Sequence, residues 1–515
     1  MTRPTQAKLV ADLTQLLSRE RVSVSTPDMV TYSADFWPKT QIWKQVGEVE
    51  QYPPDCVVWP ESTDEIGAIV RYCVTHKVPV IPFGGGSGVC GGVVPVHGGV
   101  SVDVKRMRHV VEVDHVSHTV TAQAGINGQH LEDHLNAEGF TLGHFPSSIM
   151  CSTLGGWLAA RSAGQYSSRY GKIEDMVMSL RAVLPDGTQV DTAQRAIGEP
   201  DWTQLIVGSE GTLGFITEAT LRIHPKPEAR ALRGFKFDHL HEAIDAMRLV
   251  MQAGLQPMVL RLYDPFDTVM ALGKKVTPPE AQDTDEDGAK QRSLLARLKQ
   301  RGTAYALSVP GVVNRVTHMI GNSCLLIIGF EGPERAVQRS VRRSREILAE
   351  AGGRDAGAGP GEAWLAKRYA VSFKQSRIYQ SSSFVDTMEV ATTWDRLEAL
   401  YDAVVRAVTP HALIMAHFSH AYREGCSIYF TFAAHKRHVS RSEAAYDQIW
   451  QAALGAVQGI GATASHHHGV GLSKMGWMVE EHGEMLRVWR ALKSSMDADG
   501  LLNPGKLFPE PGGDA

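Results

Sequence analysis

The segment Gly84–Gly99, which follows the apolar run VPVIPF, reads GGGSGVCGGVVPVHGG and holds eight glycines in sixteen residues. A stretch so poor in side chains buries little surface of its own. It belongs where the main chain must turn sharply or approach something closely. Gly86-Ser87-Gly88-Val89-Cys90-Gly91 satisfies G-x-G-x-x-G literally, but that fingerprint must lead straight into a helix whose N-terminus holds a pyrophosphate. Here Val93, Val94, Pro95 and Val96 follow, then a second strand-like run, GVSVDV. The glycines therefore form a loop between two strands. Such a loop can still hold a phosphate, because its bare N–H groups can line an anion nest. The competing reading, a floppy surface loop, is disfavoured by the apolar runs on both sides.

Glycine is also in mild excess over the whole chain, at 49 of 515 residues, against an average of about 7%. With 52 Lys+Arg against 56 Asp+Glu the net charge is -4, which leaves no basic footprint for nucleic acid. Hydrophobic residues at 43% and charged residues at 21% describe a folded chain. The six cysteines (Cys56, Cys73, Cys90, Cys151, Cys324, Cys426) include no CxxC pair, so they read as reduced thiols in a cytoplasmic protein. MTRPTQAKLVADLTQLLSRE lacks the apolar core of a signal peptide and reads as an amphipathic helix. No apolar stretch is long enough to cross a bilayer.

Along the chain, CVVWP, STDEIGAIVRYCVTHK and VPVIPF predict a strand–helix–strand unit, the helix opened by a Ser62–Glu65 capping cluster. GVSVDV, VVEVDH and HTVTAQAG read as strands, GINGQHLEDHLNAEG as a helix, and SLRAVLPDGTQV as a hairpin turning on Asp186-Gly187. After Pro225, long amphipathic helices (HLHEAIDAMRLVMQAG, PERAVQRSVRRSREILAEAG) alternate with strands such as PMVLRLYD and SCLLIIGFEG. Gly273–Lys290 reads as a polar, proline-broken insertion, and Leu294–Val313 as an ordinary packing helix, with a substrate-side lid as the alternative. Its mixed basic and apolar residues permit peripheral membrane contact, though such charged faces are usually just solvated.

Two more small-residue segments join the glycine loop. In GHFPSSIMCSTLGGWLAARSAG, Thr153, Gly155, Gly156, Ser162 and Gly164 let a flat ring pack against main chain; Gly208–Gly214 (GSEGTLG) forms a turn before a strand. Three such loops can converge on one extended cofactor.

The ordered set PFGGGSGVCGG, STLGGWLAARSAG, GSEGTLGFIT and NPGKLF resembles the FAD-binding fold of the vanillyl-alcohol-oxidase (PCMH) type. AGINGQHLEDHL, GHFPSS, YGKIEDMV, EGCSIYFTF and SHHHGVG resemble its alkyl-dihydroxyacetonephosphate synthase branch, from about Tyr52 onward. The resemblance implies an α+β chain. Residues 1–225, rejoined by 470–515, would be a two-subdomain FAD-binding domain, and 226–469 a substrate (cap) domain with an antiparallel sheet flanked by helices. It implies FAD contacts from Pro82, Gly84, Gly85, Gly86, Ser87, Gly88, Val89, Pro146, Ser147, Ser152, Thr153, Gly155, Gly156, Trp157, Ser162, Gly164, Glu210, Gly211, Gly214, Ile216 and Asn503. FAD is expected to be non-covalent, since the glycine loop has Ser87 where some relatives carry an attachment histidine; Cys151 is taken as a packed thiol.

The resemblance assigns catalysis to Tyr429, supported by Arg261, with His144, His466, His467 and His468 beside the flavin. A tyrosine serves as a base only if cations or donors lower its phenol from about 10. Three consecutive histidines on an extended segment would point to alternate faces and could not share one ion, and no GHxGDGNxH run is present, so no metal is expected. There is one departure from the branch. Where an arginine usually holds the substrate phosphate, spacing from Trp394 gives Gln375, flanked by Lys374 and Arg377, and Leu472 stands where a basic residue is common. A neutral amide does not replace a guanidinium on phosphate. That chemistry favours an oxidoreductase that abstracts a proton from a small hydroxy acid or alcohol while hydride passes to flavin N5, with an unidentified electron acceptor. The resemblance itself implies the alternative: redox-neutral exchange of an acyl for an alkyl group through a flavin N5 adduct. A small-molecule substrate and a homodimer complete the expectations.

Overall fold

The computed structural model describes residues 3–45, 47, 51–193, 201–272, 323–369, 383–436 and 438–509. The chain divides into two compact units: Met1–Thr40 with Gly47–Pro227 and Ala464–Ala515, and Gln41–Val46 with Glu228–Thr463. The segments expected as an insertion (273–290) and a surface helix (294–313), and the residues Lys374, Gln375 and Arg377, lie outside the described residues.

The first unit opens with α1 (Gln6–Leu16), which buries Leu9 and Leu13. Strands β1 (Val22–Ser23), β2 (Cys56–Val58), β3 (Val80–Phe83) and β4 (Val100–Asp103) form a sheet in the order β1-β2-β4-β3, with β4 parallel to both β2 and β3. Between β2 and β3 runs α2 (Thr63–Thr75), capped by Ser62, whose hydroxyl accepts the Glu65 amide at 3.2 Å. Asp64 and Glu65 in its first turn complement the helix dipole. Its apolar stripe Ile66, Ile69, Val70 and Cys73 is fully buried beside Val58, Val80 and Val102. A second, antiparallel sheet joins β5 (Val110–Asp114), β6 (Thr119–Gln123), β8 (Val177–Val183), β9 (Gln189–Asp191) and β10 (Phe215–Arg222) in the order β5-β6-β10-β8-β9. The short β7 (Phe140–Thr141) pairs with β11 (His224–Pro225). Helix α3 (Gly128–Ala137) follows β6, and α4 (Leu154–Ala159) starts at Thr153, whose hydroxyl accepts the Gly156 amide.

Among the described residues the second unit is built on seven strands. In chain order they are β12 (Ala229–Phe237), β13 (Val259–Tyr263), β14 (Cys324–Gly332), β15 (Arg354–Asp355), β16 (Ser383–Thr393), β17 (Leu413–Ala421) and β18 (Gly425–His435). They form one antiparallel sheet in the order β15-β12-β14-β13-β17-β18-β16. Its helices include α5 (Leu240–Gln252), α6 (Pro265–Leu272), α7 (Glu334–Glu350), α8 (Leu397–Val408) and α9 (Ser442–Ile460). Strand side chains alternate between faces. On β17 and β18, Phe418, Phe430 and Phe432 meet Tyr401 of α8 and Tyr446 and Trp450 of α9. The face carrying His417, Tyr429 and Thr431 is the opposite one, and those three remain half-buried.

Candidate functional site

In the first unit the chain from Gly84 onward is a run of bends and turns that ends at β4, with no helix between. Among the described residues the amides of Gly85, Gly86, Ser87, Gly88 and Val89 donate to no protein acceptor. Five consecutive N–H groups without a protein acceptor, on a partly exposed loop, are available to bind anion oxygens. The loop is pressed onto the start of α4: a Cβ on Gly84 would stand 2.4 Å from Thr153 Oγ1, and one on Gly85 only 2.1 Å from the Cys151 carbonyl oxygen. Its far end is held by Asp35, whose carboxylate accepts the Gly91 amide at 3.0 Å and the Trp37 amide at 2.9 Å. Burial pushes Asp35 up to about 7 against the pull of those two amides.

The Gly208–Gly214 turn closes on the same loop. Glu210 sits at φ +49° and its carboxylate accepts the amides of Val470 and Gly471, the latter at 2.8 Å. Burial raises its pKa and the two amides oppose that. Asn503 Nδ2 donates to the carbonyls of Gly92 (3.0 Å) and Glu210 (2.6 Å). Gly211 lies against the Pro82 ring. Ser152 accepts the Trp157 indole at 2.7 Å. His144 is buried, with Nε2 at 3.2 Å from Ser162 Oγ and its ring edge-on to Trp157, and Gly164 packs on the His144–Phe145 backbone. Burial drives His144 down to about 3, so it is a neutral imidazole. Pro82, Gly84, Gly85, Thr153, Gly156, Glu210, Gly211 and Asn503 are thus gathered by direct contacts. Ser147 is exposed and bonded to Gln165, while Ile216 is buried in β10 opposite Ala182.

Two sequence expectations are corrected here. Cys151 is exposed, not packed, because it ends the turn that the glycine loop presses on; its thiol donates to the Ser148 carbonyl at 3.3 Å. The segment holding His466, His467 and His468 is bent rather than extended, so consecutive rings meet edge-on at 5.0 and 4.7 Å. The Nδ1 atoms of His466 and His467 lie 2.8 Å apart, so one must donate to the other.

In the second unit, strand register places Tyr263, His417, Tyr429 and Glu389 in one row across β13, β17, β18 and β16. Arg261, two residues before Tyr263 on the same strand face, lays its guanidinium 5.1 Å from the Tyr263 ring centre. Burial, and then the Glu389 carboxylate, push the Tyr429 phenol well above its ordinary value; Arg261 pulls the other way and is outweighed. This reverses the lowering that a tyrosine base would need, because the row places a buried acid beside the phenol as well as a cation. The phenol in this row keeps its proton at neutral pH.

Sequence reasoning missed Asp35, Ser209, His417 and Asp267. Ser209 follows Gly208 in a segment already singled out, but nothing in the local sequence marks Asp35, which acts from far up the chain. Ser209 Oγ, His144 Nδ1 and Asn503 Oδ1 are buried without a hydrogen-bond partner among the described residues. Together with the free amides, they fit a large ligand with phosphate oxygens and ring heteroatoms.

A loop-borne anion nest beside such orphaned polar atoms, on paired parallel and antiparallel sheets, defines an FAD-binding flavoprotein. The FAD binding domain family matches residues 54–193, and the C-terminal domain of FAD linked oxidases matches residues 226–507. The chain belongs to the FAD-linked oxidase family of the PCMH type and binds FAD. It is 33% identical over 477 residues to alkyldihydroxyacetonephosphate synthase of Dictyostelium discoideum, covering 90% of this chain and 75% of that one. A solved alkyldihydroxyacetonephosphate synthase superposes with a TM-score of 0.76 at 29% identity, covering 98% of this chain and 86% of the other. Glycolate oxidase subunit GlcD of Bacillus subtilis is 27% identical, with 96% of each chain covered. Among the described residues no helix is long and apolar enough to cross a membrane.

Proposed function

We propose that this flavoenzyme exchanges the acyl group of an acylated dihydroxyacetone phosphate for a long-chain alcohol, with no net oxidation. The observation that carries the reading is the likeness to alkyldihydroxyacetonephosphate synthase, which runs through both units at 33% identity. The electrostatics of the Tyr429 row agree with it. A phenol that keeps its proton can hydrogen-bond to a departing carboxylate but does not serve as a base toward the substrate.

When bound, FAD supplies a ring that can take up and return an electron pair. The amides of Gly85–Val89 would hold its diphosphate, and Thr153, Ser162, Ser209, Glu210 and Asn503 would line the rest. Arg261, on the polar face of the second unit's sheet, would hold the anionic end or the keto oxygen of the substrate, and Tyr429 would donate to the oxygen of the leaving acid.

Oxidation of a small hydroxy acid is the second reading, and Leu472 favours it. Its amide donates to the Cys90 carbonyl at 2.8 Å and its side chain packs on Gly91, which leaves an apolar group where a cation would serve a phosphate. One preparation separates the two. Under anaerobic conditions, release of fatty acid and appearance of an ether product with the flavin spectrum unchanged supports exchange. Bleaching of the flavin by a hydroxy acid, with no ether formed, overturns it. The reading also includes a homodimer, checked by light scattering of the holoenzyme.

A further inference from the structure

We propose that His417, oriented by Asp267, is the proton acceptor of the polar sheet face, working beside a Tyr429 that donates. This rests on the exchange reading above. His417 is an inner member of the row: its register partners are Tyr263 on β13 and Tyr429 on β18. The imidazole lies nearly parallel to the Tyr429 ring, 14° between planes and 4.9 Å between centres, with Tyr263 6.2 Å away on the other side.

Its Nδ1 lies 3.5 Å from Asp267 Oδ2, the only side-chain polar partner of His417 among the described residues. That carboxylate is itself built in. Asp264 caps α6, accepting the Asp267 amide at 2.7 Å, and its other oxygen accepts the Ala416 amide at 2.7 Å and the Tyr401 hydroxyl at 3.2 Å. The residue that precedes His417 is thus tied to the helix end that carries Asp267. A ring needed only for packing against Tyr429 would not require a carboxylate at its edge. A carboxylate facing Nδ1 selects the tautomer with the proton there and leaves the Nε2 lone pair free.

The groups around the ring are Arg261 and Tyr263 from β13, Asp267 from α6 and Tyr429 from β18, with Glu389 of β16 beyond Tyr429. Burial, and then Arg261, hold the imidazole down at about 4, against the pull of Asp267, so the ring is neutral at pH 7 and the acceptor role rests on its geometry. The exchange needs such a group. The bond from carbon to the departing carboxylate oxygen breaks, a bond from that carbon to the alcohol oxygen forms, and the alcohol's proton must leave. It passes to Nε2, and no oxidant or reductant is consumed.

The test uses the holoenzyme with ¹⁵N-labelled histidine, the His417 signals being assigned by their loss in His417→Phe. The expected result is a neutral ring with its proton on Nδ1 from about pH 5.5 to 8, shifted in Asp267→Asn. A proton on Nε2, or a cationic ring at pH 7, overturns the proposal whatever the substrate proves to be. In the exchange assay His417→Phe, which preserves the stacking, is expected to lose at least about 100-fold in turnover with unchanged flavin content, and Asp267→Asn about 10-fold. Turnover of His417→Phe within twofold of wild type overturns it. If His417→Phe fails to fold, Asp267→Asn and the tautomer in the wild-type protein decide. A wild-type protein with no exchange activity removes the proposed function, while the tautomer still decides the Asp267–His417 pair.

Discussion

The carboxylate of Asp35 accepts the amide of Gly91 at 3.0 Å, which fixes the far end of the glycine loop to a segment more than fifty residues earlier. Burial holds this acid at about 7, above its unfolded value. A raised carboxylate contributes stability that is full below the unfolded pKa of about 4 and is lost as pH rises through about 7. The thermal midpoint of the wild-type holoprotein should therefore fall from pH 5.5 to 8 more steeply than that of Asp35→Asn. Asp35→Ala leaves two buried amides unpaired, each costing roughly 1–3 kcal/mol, and should release FAD at lower denaturant. Parallel pH slopes for wild type and Asp35→Asn would remove the carboxyl from this role.

Gly85 has no room for a side chain, since its Cβ would meet the Cys151 carbonyl oxygen at 2.1 Å. Gly85→Ala must displace the loop or the turn under it. The purified variant should carry less than about a tenth of the flavin per protein, at a cost of about 1–3 kcal/mol of strain. The ratio of flavin to protein absorbance reads this directly, and a full complement of FAD would show that the loop yields without cost.

Glu210 ties the histidine-bearing segment to the Gly208–Gly214 turn through the amides of Val470 and Gly471. In Glu210→Ala those amides should exchange with deuterium at least about tenfold faster, matching the loss of roughly 1–3 kcal/mol per stranded buried group. Unaltered exchange at Val470 and Gly471 would place the anchor elsewhere.

Tyr429→Phe should lower turnover at least about 100-fold with FAD content intact, because a positioned acid typically contributes that much. Since Glu389 is one of the groups that push the Tyr429 phenol up, Glu389→Gln should lower its pKa. That shift is measurable with ring-labelled tyrosine by NMR. An unchanged pKa would mean that burial alone governs the phenol.

Acid precipitation should leave all of the flavin in the supernatant. The glycine-rich stretch Gly84–Gly92 holds no histidine, and the Cys151 thiol is bonded to the Ser148 carbonyl. Yellow precipitate would reveal a covalent link and point to Cys151.

How far the site was legible follows from the range of the interactions. The strand–helix–strand from Cys56 to Phe83 could be read because capping at Ser62 and the stripe Ile66–Cys73 are local. The same locality exposed the false dinucleotide fingerprint: the residues after Gly91 cannot begin a helix, and in the structure they lead to β4. Tyr429 could be singled out through resemblance, but its protonation could not, because Glu389 and Arg261 reach it only through register with β16 and the placement of β13. Asp35 and Asp267 were invisible for the same reason.

By itself, then, the sequence determined that a glycine-rich loop stands between two strands, that two further small-residue segments accompany it, and that the chain carries an FAD-type motif order. Only the tertiary structure decided which acid clamps the loop, that the three histidines cluster, and that Tyr429 keeps its proton while a neutral His417 lies stacked beside it. The physical reason is that backbone freedom and periodicity are written in neighbouring residues. Burial, and the charge that sets a pKa, depend on residues brought close by folding from distant parts of the chain.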